Sequence, residues 1–132
     1  MSSKKSLYTV PVASTSFTTE AYFDGQGVSP AIRFAYLKNG VKHRSGIEFS
    51  RVCAVRTRAE RCCTAWHIDN AYDTLVNVEN SSWVAEIRAD TAEEWRNEWE
   101  MNHYMIYLDS AGCFEVIAES WAVLPEEVWP KQ

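Results

Sequence analysis

The densest group of chemically reactive side chains lies between residues 60 and 69. Cys62 and Cys63 are followed by His67 and Asp69, and His103 comes later in the chain. Thiol, imidazole and carboxylate groups together could hold a metal ion or form a Cys–His nucleophilic site. Adjacent cysteines on a strand point to opposite faces, so this spacing gives such a site little support. We therefore favour buried thiols followed by a polar loop and expect no metal, although whether Cys62, Cys63, His67 and Asp69 form a site stays open.

A second candidate is a pocket between a predicted sheet and a predicted helix, lined by His67, Trp83, Tyr104 and Glu115. Glu115 lies in an apolar run that is typical of a central strand. A buried carboxylate needs a compensating charge, and Arg56 or Arg58 is the natural partner. We favour a structural ion pair over a general acid or base. The chain has no glycine-rich phosphate loop, nucleophile elbow or C-x-x-C motif, so we expect no cofactor, assign no catalytic residue and favour a non-enzymatic role.

The charge is divided between the two halves of the chain. Residues 1–66 sum to +6 and residues 67–132 to −11, which together give the net charge of −5. The arginines of the basic half alternate with core positions on one predicted strand, and the whole chain is acidic, so we expect no nucleic-acid partner. In the acidic half, a negative stripe on a helix would attract a basic protein. The candidate partner-binding residues are Glu86, Glu93, Glu94 and Glu98.

Two turn signals and one helical pattern set the predicted elements. Asn39-Gly40 between alternating runs predicts a tight hairpin, and residues 109–112 predict a second hairpin between two central strands. The Asn80–Ser82 cluster begins a helical segment over 82–100, as one broken helix or two short ones. Trp95 and Trp99 are four residues apart, which predicts that they share a helical face and that at least one is mostly buried against the sheet.

The elements combine into one α+β domain over residues 1–132, in which a curved, mostly antiparallel sheet of six or seven strands carries the helical segment on one face. Residues 7–13 are the predicted edge strand, 24–30 a loop, and 1–6 and 126–132 flexible tails. A homo-oligomer could form through an edge strand. No signal peptide or apolar run of about 20 residues is present, so we expect a cytoplasmic protein and no membrane partner.

Four segments in the second half, LVNV at 75–78, SSW at 81–83, HYMI at 103–106 and EVIAE at 115–119, resemble a pattern in small bacterial single-domain proteins of unknown function. They cover less than half of the chain. Similar small α+β chains occur among cytoplasmic immunity proteins that neutralise secreted toxins. The resemblance implies a role as an interaction module and carries over no catalytic residue. An acidic surface would suit an inhibitor of a basic toxin.

Overall fold

An antiparallel sheet makes up most of the molecule. The computed structural model describes residues 3–25 and 29–130. Within these residues the sheet has eight strands, which are β1 (Ser3–Thr9), β2 (Thr19–Asp24), β3 (Ala31–Lys38), β4 (Val41–Arg58), β5 (Thr74–Glu79), β6 (Asn102–Leu108), β7 (Gly112–Val123) and β8 (Glu127–Val128). Their order is β1-β5-β6-β7-β4-β3-β2, and β8 pairs with β4. β1 and β2 therefore form the edges.

Among the described residues the helices are short, and only one exceeds a single turn. They are α1 (Ala65–Ile68) and α2 (Ser82–Asp90), with 3-10 turns at Ser14–Ser16, Glu60–Cys62 and Glu93–Trp95. α2 packs on one face of the sheet through the buried Trp83. The predicted α+β class, with a curved antiparallel sheet and one helical segment, is confirmed.

Both predicted hairpins are present because their turn residues adopt the required backbone. Asn39 and Gly40 have φ of 52° and 76° between β3 and β4, as a type I′ turn demands. Gly112 opens β7 at φ 98°, and a Cβ there would lie 2.1 Å from the carbonyl oxygen of Arg58. Only glycine fits at that position, so the hairpin is held tightly against the end of β4.

The sheet buries apolar side chains on both faces. The larger core draws on strands from both ends of the sheet, including Ala21 of β2 and Leu75 of β5, so this face is concave. The convex face carries a smaller cluster around Val76, Met105 and Cys113. Successive residues of a strand point to opposite faces, so neighbouring side chains of β6 and β7 enter different environments.

Alternate apolar positions of β4 are buried only in the first half of the strand. Ile47 and Phe49 are buried, but Val55 is exposed. The pairing of β4 with β7 shifts register between Val52 and Ala54. A bulge of this kind inserts one extra residue and re-aims the side chains that follow.

The two ends predicted to be tails contain strand where the structure describes them. β1 begins at Ser3 and ends at Thr9, so the predicted strand at 7–13 starts too late and extends too far. Near the other end, β8 pairs with His43 and Arg44 of β4, and Glu126 forms an ion pair with Lys38 at 2.8 Å. Both segments pair with neighbouring strands through main-chain hydrogen bonds, which need no apolar pattern in the sequence, so the prediction of two flexible tails is wrong. Of the predicted 24–30 loop, residues 26–28 lie outside the described residues.

The prediction that Trp95 and Trp99 share a helical face is wrong. Trp95 is 60% exposed and Trp99 is 36% exposed, so neither lies in the core, although most of the Trp99 surface is covered. The helix ends at Asp90, and only a 3-10 turn follows. The Arg96 guanidinium donates hydrogen bonds to the carbonyls of Arg88 and Thr91, which holds this segment in a turn at the end of α2.

Candidate functional site

A chain of four hydrogen-bonded polar side chains crosses the convex face of the sheet. Arg56 forms two bonds to Glu115, Nε to Oε2 at 2.9 Å and Nη2 to Oε1 at 3.0 Å. His103 Nε2 lies 2.8 Å from Glu115 Oε1, and His103 Nδ1 lies 2.7 Å from Ser81 Oγ. The predicted ion pair between Glu115 and Arg56 is therefore confirmed, and it extends to His103 and Ser81.

Strand register places three of these side chains on one face. Arg56 of β4 lies directly opposite Glu115 of β7, and Glu115 lies opposite Met105 of β6. His103 is two residues before Met105, so it shares the same face of β6 and reaches Glu115 diagonally. Ser81 comes from outside the sheet as the N-cap of α2, where its Oγ accepts the Val84 N–H at 3.1 Å.

Trp83 covers this network from the side of α2. Its ring makes an edge-to-face contact with His103, with centroids 5.1 Å apart. The guanidinium carbon of Arg56 lies 4.1 Å from the centre of the same ring. His103, Glu115 and Trp83 are all buried. The indole thus shields the acid and the imidazole from water, which strengthens the interactions between them.

The charges of this site favour an ionised Glu115. Burial by itself raises the pKa of Glu115, but the hydrogen bonds from His103 and Arg56 and the charge of Arg56 outweigh burial and lower the pKa to about 2. If neutral His103 donates its Nε2–H to Glu115, its Nδ1 accepts the hydroxyl hydrogen of Ser81. In that tautomer His103 and Ser81 are both satisfied and the Arg56–Glu115 pair carries no net charge.

The order hydroxyl, imidazole, carboxylate is the arrangement that nucleophilic catalysis uses. Here, however, Arg56 neutralises the carboxylate, and the Ser81 oxygen already caps a helix. These two features favour a structural role, in which the network fixes the start of α2 to the sheet. Ser81 and His103 nevertheless line an open groove of about 540 Å³ beside α2, so a small molecule could reach the hydroxyl.

The structure brings together only part of the predicted pocket. Trp83 and Glu115 meet through His103 and Arg56, as described above. Tyr104 packs in the concave core, on the opposite face of β6, and its hydroxyl donates to the carbonyl of Glu119 at 3.3 Å. The side-chain alternation of a strand therefore separates Tyr104 from Glu115.

His67 belongs to a separate local structure. Its Nδ1 accepts the backbone N–H of Thr64 at 2.9 Å and closes the first turn of α1. Burial, followed by the positive charge of Arg58, lowers the pKa of His67, so the neutral ring suits this acceptor role. His67 makes no hydrogen bond to the Glu115 network in the described residues.

The prediction of buried thiols at residues 62 and 63 is wrong, because Cys62 is exposed and Cys63 is only partly buried. Cys53, Cys63 and Cys113 are nevertheless poor candidates for a nucleophile. Burial raises the pKa of the Cys63 and Cys53 thiols, and it raises that of Cys113 to about 12. A thiol with a raised pKa carries little of the reactive thiolate form. Within residues 3–25 and 29–130, no group of three or more His, Cys, Asp or Glu side chains is arranged to hold a metal ion.

Beside this network, the segment from α2 to β6 presents an acidic and aromatic surface. All four glutamates predicted to bind a partner are exposed, together with two tryptophans. We define the acidic-aromatic surface as Glu86, Glu93, Glu94, Trp95, Glu98 and Trp99. A cavity of about 470 Å³ opens on it, and its lining includes Ile87, Trp95, Glu98, Trp99 and Met101.

Sequence reasoning did not connect Ser81 and His103 to Glu115. By sequence, Ser81 belongs to a predicted helix-cap cluster, and His103 is grouped with Cys62 and Cys63 as a candidate for a metal or nucleophilic site. The connecting signal is the hairpin at 109–112: pairing Leu108 with Gly112 fixes Met105 opposite Glu115 and so places His103 on the same face. Ser81 could not be placed next to His103 in this way, because its position depends on how α2 packs on the sheet.

No known protein family, curated protein or solved structure matches the chain. Among the described residues, no helix has the length and apolar character needed to cross a membrane.

Proposed function

We propose that this protein is a non-enzymatic interaction module that binds a basic protein through the acidic-aromatic surface. One observation carries the proposal: Trp95, with 60% of its surface exposed, lies among exposed glutamates. In the described part of the chain, none of the four glutamates of this surface is in an ion pair. Contacts within the described part of the chain therefore neutralise none of these four glutamates and cover little of the Trp95 ring.

Both properties suit recognition of a basic partner. Unpaired negative charges steer a positively charged protein towards the surface and speed its association. Exposed tryptophans supply large contact areas and are enriched among the residues that dominate binding energy. This agrees with the immunity-like role that the resemblance implies, in which an acidic protein would neutralise a basic toxin.

Capture from the native host tests the proposal. Wild-type protein, Glu94→Lys and Glu20→Lys would be immobilised separately, and bound proteins identified by mass spectrometry. Glu20 is exposed on the edge strand β2, so its replacement makes the same charge change away from the acidic-aromatic surface. We expect a basic protein held in stoichiometric amount by the wild type and by Glu20→Lys, and released by Glu94→Lys. A partner held equally by all three would contradict the proposal.

The hydrogen-bonded order Ser81–His103–Glu115 favours a second candidate function, hydrolysis of a small ester. Ser81 Oγ would attack the ester carbonyl carbon while its proton passes to His103 Nδ1 and then to the departing alcohol. A water molecule would next attack the acyl-serine, with His103 taking and returning one proton, to release the acid and restore the hydroxyl. Arg88 lines the same groove, and its Nε is buried without a hydrogen-bond partner among the described residues, which favours an ester with an anionic group.

A fluorophosphonate probe tests this second candidate. It would label Ser81 stoichiometrically in the folded protein, as peptide mass spectrometry can show, and labelling would stop after heat denaturation. His103→Gln, checked for folding by circular dichroism, should remove the labelling. Absence of labelling in the folded wild type would leave the Ser81–His103–Glu115 network with its structural role alone.

A further inference from the structure

The exposed tryptophans of this protein differ in whether the chain itself supplies a cation to the ring. Lys4 Nζ lies 4.5 Å from the centre of the Trp66 ring, and the guanidinium carbon of Arg44 lies 3.5 Å from the Trp129 ring. Both rings remain partly exposed but already have a cation over one face. Trp95 is the most exposed tryptophan among the described residues. No cation–π or ring–ring contact of the described residues involves it.

Trp95 and Trp99 both line the cavity that opens on the acidic-aromatic surface, and the ring of Trp99 has only a distant cation over it. The nearest cation is Arg51, whose guanidinium carbon lies 5.8 Å from the ring centre, close to the limit of about 6 Å for a significant cation–π contact. Arg51 also forms an ion pair with Glu119 at 3.1 Å, which directs its charge elsewhere. Two indole faces therefore border one cavity without a closely held cation.

Apart from the two indoles, the lining of the cavity includes apolar side chains and one acidic side chain. Val52, Ile87 and Met101 supply apolar area, while Glu98 supplies a carboxylate. Its volume of about 470 Å³ lies within the range of pockets that hold small ligands or several side chains. No basic side chain lines the cavity in the described residues. An anionic ligand would be repelled by Glu98 and the neighbouring glutamates, whereas a purely apolar ligand would leave the carboxylate unused.

We infer that this cavity is a receptor for a basic segment of a partner protein, in which a Lys or Arg side chain lies between the two indoles and Glu98 and an adjacent apolar side chain contacts Ile87 and Met101. This inference deepens the proposed function and rests on it. Attraction of a cation to an indole face, strengthened by a nearby carboxylate, is how aromatic cages recognise ammonium groups.

Two capped tripeptides test the inference without the natural partner. The first, acetyl-LKL-amide, carries one cation between apolar side chains, and the second, acetyl-LQL-amide, is its neutral counterpart. Each would be titrated into ¹⁵N-labelled protein while the indole N–H resonances are followed, with the resonances of the cavity assigned by Trp95→Phe and Trp99→Phe. We expect saturable shifts of these two resonances and a preference for LKL of roughly three- to tenfold.

Variants separate local recognition from general attraction to an acidic protein. Glu98→Gln should reduce the preference for LKL to less than about twofold, because the carboxylate of the cavity is gone. Glu20→Gln removes an equal charge from the exposed edge strand β2, outside the acidic-aromatic surface, and should preserve the preference, because charges that are not at the cavity are screened by salt. Trp95→Ala should weaken LKL binding by several-fold, whereas Trp66→Ala should leave it unchanged.

Two results would overturn the inference. Equal affinity for LKL and LQL would show an apolar cavity that does not select a cation, and shifts confined to tryptophans outside the cavity would show that it is not the binding site. Either result leaves the proposed function intact if a basic partner is still released by Glu94→Lys. Selective LKL binding with a partner that ignores Glu94→Lys would instead contradict the proposed function and keep the cavity as a cation site.

Discussion

Replacing Glu115 with glutamine tests whether the buried network stabilises the fold. The change keeps the size of the side chain and removes the charge that binds Arg56 and His103. A carboxyl pKa lowered from 4.5 to about 2 corresponds to about 3 kcal/mol of stabilisation at neutral pH. Arg56 is 46% exposed, so water weakens its share. We expect Glu115→Gln to lower the free energy of unfolding by about 2–3 kcal/mol at pH 7.

The stabilisation that Glu115 contributes should depend on pH, and the direction of this dependence follows from its lowered pKa. The pKa of Glu115 is lower in the folded state than in the unfolded state, so its stabilisation is complete above about pH 4.5 and is lost as the pH falls towards 2. The wild type should therefore lose stability on acidification relative to Glu115→Gln. Between pH 7 and pH 3.5 the difference between the two proteins should narrow by about 1–2 kcal/mol.

Urea unfolding followed by circular dichroism provides the measurement, because urea does not screen charges as guanidinium does. Glu20→Gln on the exposed edge strand β2 is the matched control and should change stability by less than about 0.5 kcal/mol. A loss below about 0.5 kcal/mol for Glu115→Gln, or a difference that stays constant down to pH 3.5, would refute the reasoning.

The remaining predictions concern packing, the backbone and metal content. Trp83→Ala should lower the free energy of unfolding, measured in urea, by about 3–5 kcal/mol because Trp83 is buried. Trp95→Ala should lower it by less than about 1 kcal/mol because Trp95 is exposed, and equal losses for the two variants would contradict the packing described. Gly112→Ala should destabilise by more than about 1 kcal/mol, since its Cβ would collide with the Arg58 carbonyl, and an unchanged melting temperature would contradict this. Elemental analysis of untagged protein should find no stoichiometric metal; zinc that is lost on Cys63→Ser would revive a metal site.

The sequence predicted those parts of the fold that local chemistry decides. Asn39-Gly40 specifies its hairpin because both positions need positive φ, which these residues tolerate. The pairing of Arg56 with Glu115 could be anticipated because a carboxylate in a central strand requires a nearby cation. Each inference depends on one or two residues. In each case the alternative carries a free-energy penalty, either for positive φ at other residue types or for an unpaired buried carboxylate.

The sequence did not predict the parts that depend on backbone pairing or on a change of helix type. β1 begins within the polar run Ser3–Ser6, where pairing with β5 through main-chain hydrogen bonds leaves no apolar pattern to detect. The spacing of Trp95 and Trp99 suits an α-helix, yet Arg96 satisfies the carbonyls at the end of α2 and the chain turns. The exposure of both indoles, on which the proposed function rests, is a consequence of that turn.

Association kinetics with the captured partner test the central claim most directly. Stopped-flow measurements would compare the wild type with Glu93→Lys/Glu94→Lys as the salt concentration rises from 20 mM to 500 mM. We predict that the wild-type association rate falls by at least about tenfold with salt, and that the double variant associates several-fold more slowly at low salt with a nearly unchanged melting temperature. Association that is indifferent to both salt and charge reversal would contradict the claim that the acidic-aromatic surface binds a basic protein.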